Sequence, residues 1–148
     1  MDARELSPLG WGPWGAVPLV VLLACGGPLL AIPGGKLAGP VVTDSVVDWS
    51  FVADPVLDLE TRPEAPYSVT LRARLIEGQL YLDPAEGRRW LDHLRANPEV
   101  RIRIAGRVYP AQAVLVGAPG ELAGFDPTRF VYRLDPVPSS PTGVGGRR

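Results

Sequence analysis

The chain has 148 residues, a formal net charge of -1, one cysteine and one histidine. That length suits one domain with appendages, and the near-neutral balance argues against a polyanion binder. A lone cysteine (Cys25) excludes an intramolecular disulfide and a cysteine-based zinc site, and a lone histidine (His93) excludes a histidine metal cluster. If the protein is an enzyme, a bound cofactor has to carry the hard chemistry.

Residues 1–13 are a short leading segment. Residues 14–32, WGAVPLVVLLACGGPLLAI, run for 19 residues without a charge. That is long enough to cross a bilayer core as a helix. Trp11 and Trp14 stand at its start and Lys36 beyond its end, as at membrane interfaces. Pro18, Gly26, Gly27 and Pro28 weaken a helix in water more than in lipid. The expectation is a transmembrane helix acting as a single-pass N-terminal anchor, which places the protein at a membrane. The stretch "LLAC" also resembles a lipoprotein signal with Cys25 as acceptor, but "PLLAI" continues the apolar run past it. A cleaved signal fits less well, because "MDARELSPLG" is not basic. The bland alternative is an apolar segment buried in a soluble protein, which a domain this small hides poorly.

Residues 33–47 are rich in Gly and Pro and read as a linker, and residues 136–148 as a disordered tail. The domain is then residues 48–135, and its pattern is mostly strand. "SFVADPVLDLETR" predicts one or two short strands, broken at Asp54-Pro55. "PYSVTLRARLIEGQLYLD" predicts a hairpin turning at Glu77-Gly78. In it Val69, Leu71, Ala73 and Leu75 point one way, and Ser68, Thr70, Arg72 and Arg74 the other.

Next comes a helix. Asp83 is the expected cap, with Pro84 at the first position and Glu86 at capping-box spacing, although Gly87 delays a regular helix to about Arg88. Trp90, Leu91 and Leu94 make its apolar stripe, and His93 reads as a surface residue. Pro98 ends it at Asn97. A second hairpin spans "EVRIRIAGRVYPAQAVLVG", turning at Ala105-Gly106, with Pro110 marking an edge or bulge. A last strand covers 129–134. The order β-β-β-α-β-β-β with hairpins throughout is mainly β and predicts a small antiparallel barrel with one helix across an opening.

Residues 44–135 carry 11 arginines, no lysine and 14 acidic residues, a net of -3. That is not the basic balance of a nucleic-acid-binding domain, so no nucleic-acid partner is expected. Arg72, Arg74, Arg101 and Arg103 lie on polar strand faces. Pairing with Glu60, Glu64, Glu77 or Glu99 is favoured over a cofactor clamp.

"ETRPEAPYSVTLRARLIEGQLYL" followed by "GRRWLDHLRANPEVRIRIAGRVYPAQAVLV" resembles the split-barrel flavin-binding superfamily. The pattern is closest to deazaflavin-dependent nitroreductase-like proteins and more distant from pyridoxamine 5′-phosphate oxidase. The resemblance covers about residues 56–135 and rests most on "L-x-A-N-P-x-V". It implies a split β-barrel, usually dimeric, with FMN or deazaflavin at its rim. It implies cofactor contacts at Ser68 and Thr70 on the strand and at Arg88 and Arg89 at the helix start. Trp90 is placed to cover a ring, against a competing core role, and Tyr67 is the candidate proton donor. No metal is implied. Two features depart from the family: Asp83 and Glu86 before the helix oppose phosphate binding, and segment 117–128 is short.

Two functions follow from this reading. One is a membrane-anchored, FMN- or deazaflavin-binding oxidoreductase of the nitroreductase or quinone-reductase type, with a small quinone-like or nitro acceptor and a homodimeric assembly. The other is a cofactor-free split barrel serving as a binding or dimerisation module at the membrane.

Overall fold

Two-residue turns with positive φ at both positions are what tight hairpins of right-twisted strands require. Both predicted turns have this form: Glu77 and Gly78 at φ 49° and 75°, Ala105 and Gly106 at 48° and 78°. The computed structural model in which they occur describes residues 34–137. The expected anchor, Cys25, and most of the tail lie outside the described residues. Among the described residues, no helix is long and apolar enough to cross a membrane.

The elements are β1 (Val56–Thr61), β2 (Tyr67–Arg72), β3 (Arg74–Ile76), β4 (Gln79–Leu82), α1 (Arg89–Ala96), β5 (Glu99–Ile104), β6 (Arg107–Gly117) and β7 (Val131–Pro136). They form one antiparallel sheet in the order β2-β1-β5-β6-β7-β4-β3. β2 and β3 lie at its two ends, yet only Ala73 separates them in sequence. The sheet therefore curls until its ends meet at one residue. The result is a curled antiparallel half-barrel with one helix.

This corrects the first hairpin. Residues 67–82 do not pair with one another throughout: β2 pairs with β1, and only β3 pairs with β4. The alternation runs unbroken through Ala73, so nothing local marks the change of partner. What ends the β1–β2 ladder is Pro55. Its carbonyl accepts the Ala73 N–H at 2.8 Å, but it has no N–H to return.

The helix begins later than Asp83. Gly87 takes φ +81°, Arg88 is the extended N-cap residue, and no side chain caps the helix. Glu86 instead binds Arg95 through both oxygens at 2.9 Å. Asn97 ends the helix in an extended conformation before Pro98, its N–H on the His93 carbonyl. His93 is buried, contrary to the surface expectation. It stands three residues after Trp90, on the packed side of the helix, and that spacing was legible behind its acidic neighbour Asp92.

Trp49, Leu57, Leu59, Leu80, Leu82, Leu91, Ile102 and Leu134 fill the interior. The segment read as a linker is bonded to the barrel over residues 34–42. Gly34 exchanges both backbone bonds with Ser68, Val42 N–H reaches the Val108 carbonyl at 2.8 Å, and Leu37 is buried. Its Gly and Pro content marks irregular backbone, not detachment. Pro110 lies in a central strand, not at an edge, beside the point where β7 is ending at Pro136.

Of the four strand arginines, Arg72, Arg101 and Arg103 are ion-paired. Arg101 binds Glu60 and Arg103 binds Asp58, each pair register partners across β5 and β1. Arg72 pairs with Asp54 at 3.1 Å. Arg74 donates to the Gly124 carbonyl and covers the Phe125 ring at 4.4 Å, fastening the loop between β6 and β7 to β3.

Candidate functional site

An open cleft of about 540 Å³ runs between β2, the segment before α1 and the start of α1. That volume is within the usual range for small-molecule sites. β2 contributes Tyr67, Val69, Thr70, Leu71 and Arg72; the helix start contributes Arg88, Arg89 and Trp90. Asp83, Pro84, Ala85 and Gly87 form the connecting wall, and Arg129 enters from the loop before β7. Four guanidiniums and one carboxylate therefore line the cleft.

The sequence candidates divide. Tyr67, Thr70, Arg88, Arg89 and Trp90 line this cleft, and Ser68 does not. Ser68 is fully buried because Gly34 and Gly35 lie over it, and its hydroxyl donates to the Gly35 carbonyl at 2.8 Å. Thr70 is exposed, with its hydroxyl donated to Asp58 Oδ1. Trp90 is half-buried, packed against the core while also reaching the cleft.

The four cations are not equivalent. Arg72 is neutralised by Asp54. Arg129 lies 3.4 Å from Asp126 and 4.0 Å from Asp83, and it donates to the Asp83 carbonyl at 3.1 Å. Arg88 has no ion-pair partner among the described residues. Arg89 has its guanidinium carbon 5.9 Å from the Tyr67 ring centroid. With no side chain capping α1, its first-turn N–H groups add to this end of the cleft. The helix start is thus the anion-ready pole, and Asp83 sits at the pole already occupied by Arg129.

Two participants escaped sequence reasoning. Arg129, expected as the first residue of the last strand, lies in the loop before β7, which begins only at Val131. It reaches the cleft because the Phe130 N–H bonds the Pro84 carbonyl and Ala85 bridges to Arg129. His93 lies behind the wall, its ring centroid 5.0 Å from that of Tyr67 with the planes at 85°. Burial, then the charges of Arg62 and Arg89, hold its imidazole below the usual histidine range. Among the described residues, no cluster of His, Cys, Asp and Glu side chains is placed to hold a metal ion.

No protein-family model and no curated protein matches the chain. Among solved structures it is similar to a candidate pyridoxamine 5′-phosphate oxidase from Listeria innocua, with a TM-score of 0.45 and 18% identity, over 55% of this chain and 83% of that one. It is also similar to a FAD-binding protein from Mesorhizobium loti, with a TM-score of 0.46 and 18% identity, over 58% of this chain and 82% of that one. At these values neither likeness assigns a chemistry to the cleft.

Proposed function

We propose that the protein is a membrane-anchored oxidoreductase that binds FMN or a deazaflavin in this cleft and acts on a small quinone-like or nitro acceptor. The observation that carries the reading is one arrangement. Arg88 and Arg89, at an uncapped helix start, share a cleft with the apolar side chains of Val69, Leu71 and Trp90. A phosphate tail and a flat ring system need that combination of charge and apolar wall. The residues fit at the helix pole. Asp83 opposes an anion, and Arg129, 4.0 Å away, offsets it.

A bound flavin supplies hydride or electron transfer. The protein's residues bind, orient and shield. Arg88 and Arg89 hold the phosphate, Val69, Leu71 and Trp90 exclude water, and the Tyr67 hydroxyl is the proton donor toward the acceptor. Residues 34–42 form a strap on the barrel, and Gly34 is bonded to Ser68, next to Tyr67. In this proposal the anchor precedes that strap, which favours a lipid-side acceptor. Assembly as a homodimer belongs to the same proposal.

The test is the visible spectrum of the detergent-purified full chain, desalted after incubation with FMN or a deazaflavin. Retained chromophore near one equivalent, lost in Arg88→Ala/Arg89→Ala, is expected. Absence of chromophore, together with unchanged flavin fluorescence on titration, removes the cofactor. One observation favours the second reading, a cofactor-free binding or dimerisation module: the hydroxyls of Ser68 and Thr70 are both donated within the protein.

A further inference from the structure

Arg89 and His93 are four residues apart on α1 and therefore share a face, one turn from each other. Thr61 and Tyr67 are register partners on β1 and β2. The two pairs interlock. His93 Nδ1 lies 2.8 Å from Thr61 Oγ1, and Thr61 Oγ1 donates to the Tyr67 carbonyl at 3.3 Å. With the hydroxyl proton on that carbonyl, the bond from the ring is Nδ1–H to oxygen, a tautomer assigned from this network. The His93 ring meets the Tyr67 ring edge to face, while Arg89 lies by the same ring in the cleft. His93 and Thr61 are both buried and line no part of the cleft.

We propose that His93 is a positioning residue of the cleft: it fixes the Tyr67 ring, and through that ring the Arg89 guanidinium that receives an anion. A long arginine side chain loses rotamer freedom when it grips a ligand, and a ring that already holds it removes part of that cost. Arg88, one residue earlier, rests on no aromatic ring among the described residues. The two neighbouring arginines therefore differ in preorganisation, and the difference originates in a histidine that touches no ligand. The inference rests on the reading of the cleft as the site of a phosphate-bearing cofactor.

The affinities of the full chain for FMN and riboflavin, measured by fluorescence quenching, isolate the phosphate as a ratio. Arg89→Ala is expected to lower that ratio about tenfold, the usual effect of losing a charge-assisted contact. His93→Ala should lower it several-fold. His93→Ala should add nothing to Arg89→Ala but should multiply with Arg88→Ala. Thr61→Val, nearly isosteric, gives the same Arg89-dependent fall should His93→Ala not fold. A general loss of stability would weaken FMN and riboflavin alike. An unchanged ratio, or an equal fall with and without Arg89, overturns the inference. If neither flavin binds the wild type, the FMN form of the cofactor reading fails, and the same cycle is read with inorganic pyrophosphate. An Arg89-dependent effect of His93 then sustains the positioning role, and pyrophosphate that does not bind, or binds regardless of His93, ends it.

Discussion

Arg101 on β5 and Glu60 on β1 face each other across the ladder and are joined twice, Nε donating to Oε1 at 2.8 Å and Nη2 to Oε2 at 2.6 Å. Glu60 is 3% exposed and also accepts the Leu37 N–H, so its charge is met by three protein donors. Removing Arg101 strands a buried carboxylate. Arg101→Met should cost about 3 kcal/mol, and Arg101→Met with Glu60→Gln should recover part of it, since the neutral amide carries no buried charge and still accepts the Leu37 N–H. Urea midpoints check both; a single variant as stable as wild type contradicts the account.

The fully buried indole of Trp49 donates to the Leu134 carbonyl at 2.7 Å and packs edge-on against Tyr109. It joins the segment before β1 to the central strand β7. Trp49→Phe keeps an aromatic ring but removes the donor and leaves a void. A loss of about 2 kcal/mol is expected, read from chemical denaturation.

His93 makes stability depend on pH, with a definite sign. Burial is the main cause of its lowered value, followed by Arg62 and Arg89, while Asp92 and Glu64 oppose them. Thr61 and Tyr67 pack on it from β1 and β2. The unfolded imidazole takes its proton near its ordinary 6.5, the folded one only at lower pH. Stability therefore falls as pH drops below about 6.5, and this contribution levels off once the folded imidazole is protonated. In His93→Gln the slope of the urea midpoint across this range should flatten. An identical slope would assign the acid loss to carboxylates.

Gly39 takes φ 136°, and a Cβ there would lie 2.6 Å from the Gly106 carbonyl oxygen. Gly39→Ala should cost about 1–3 kcal/mol by forcing the strap away from the β5–β6 turn. Gly35→Ala meets open space and should stay within about 0.5 kcal/mol of wild type. Equal thermal midpoints for the two would show that the strap carries no stability.

Local features were legible in the amino-acid order because short-range backbone preferences decide them. The turns at Glu77-Gly78 and Ala105-Gly106, the helix stop at Asn97-Pro98, and the separation of Arg101 and Arg103 from Val100, Ile102 and Ile104 are of this kind. The cleft positions of Tyr67, Thr70, Arg88, Arg89 and Trp90 came from a resemblance, and Ser68, chosen the same way, is covered by Gly34 and Gly35. Tertiary structure alone decided which strand β2 pairs with, that residues 34–42 strap the barrel, and that Asp58 and Asp54 neutralise Arg103 and Arg72. It also brought Arg129 into the cleft and set His93 against Tyr67. These contacts join residues far apart in sequence, and strand pairing together with the curling of the sheet brings them side by side. Alternation specifies which face a side chain takes; closure of the sheet specifies what it finds there.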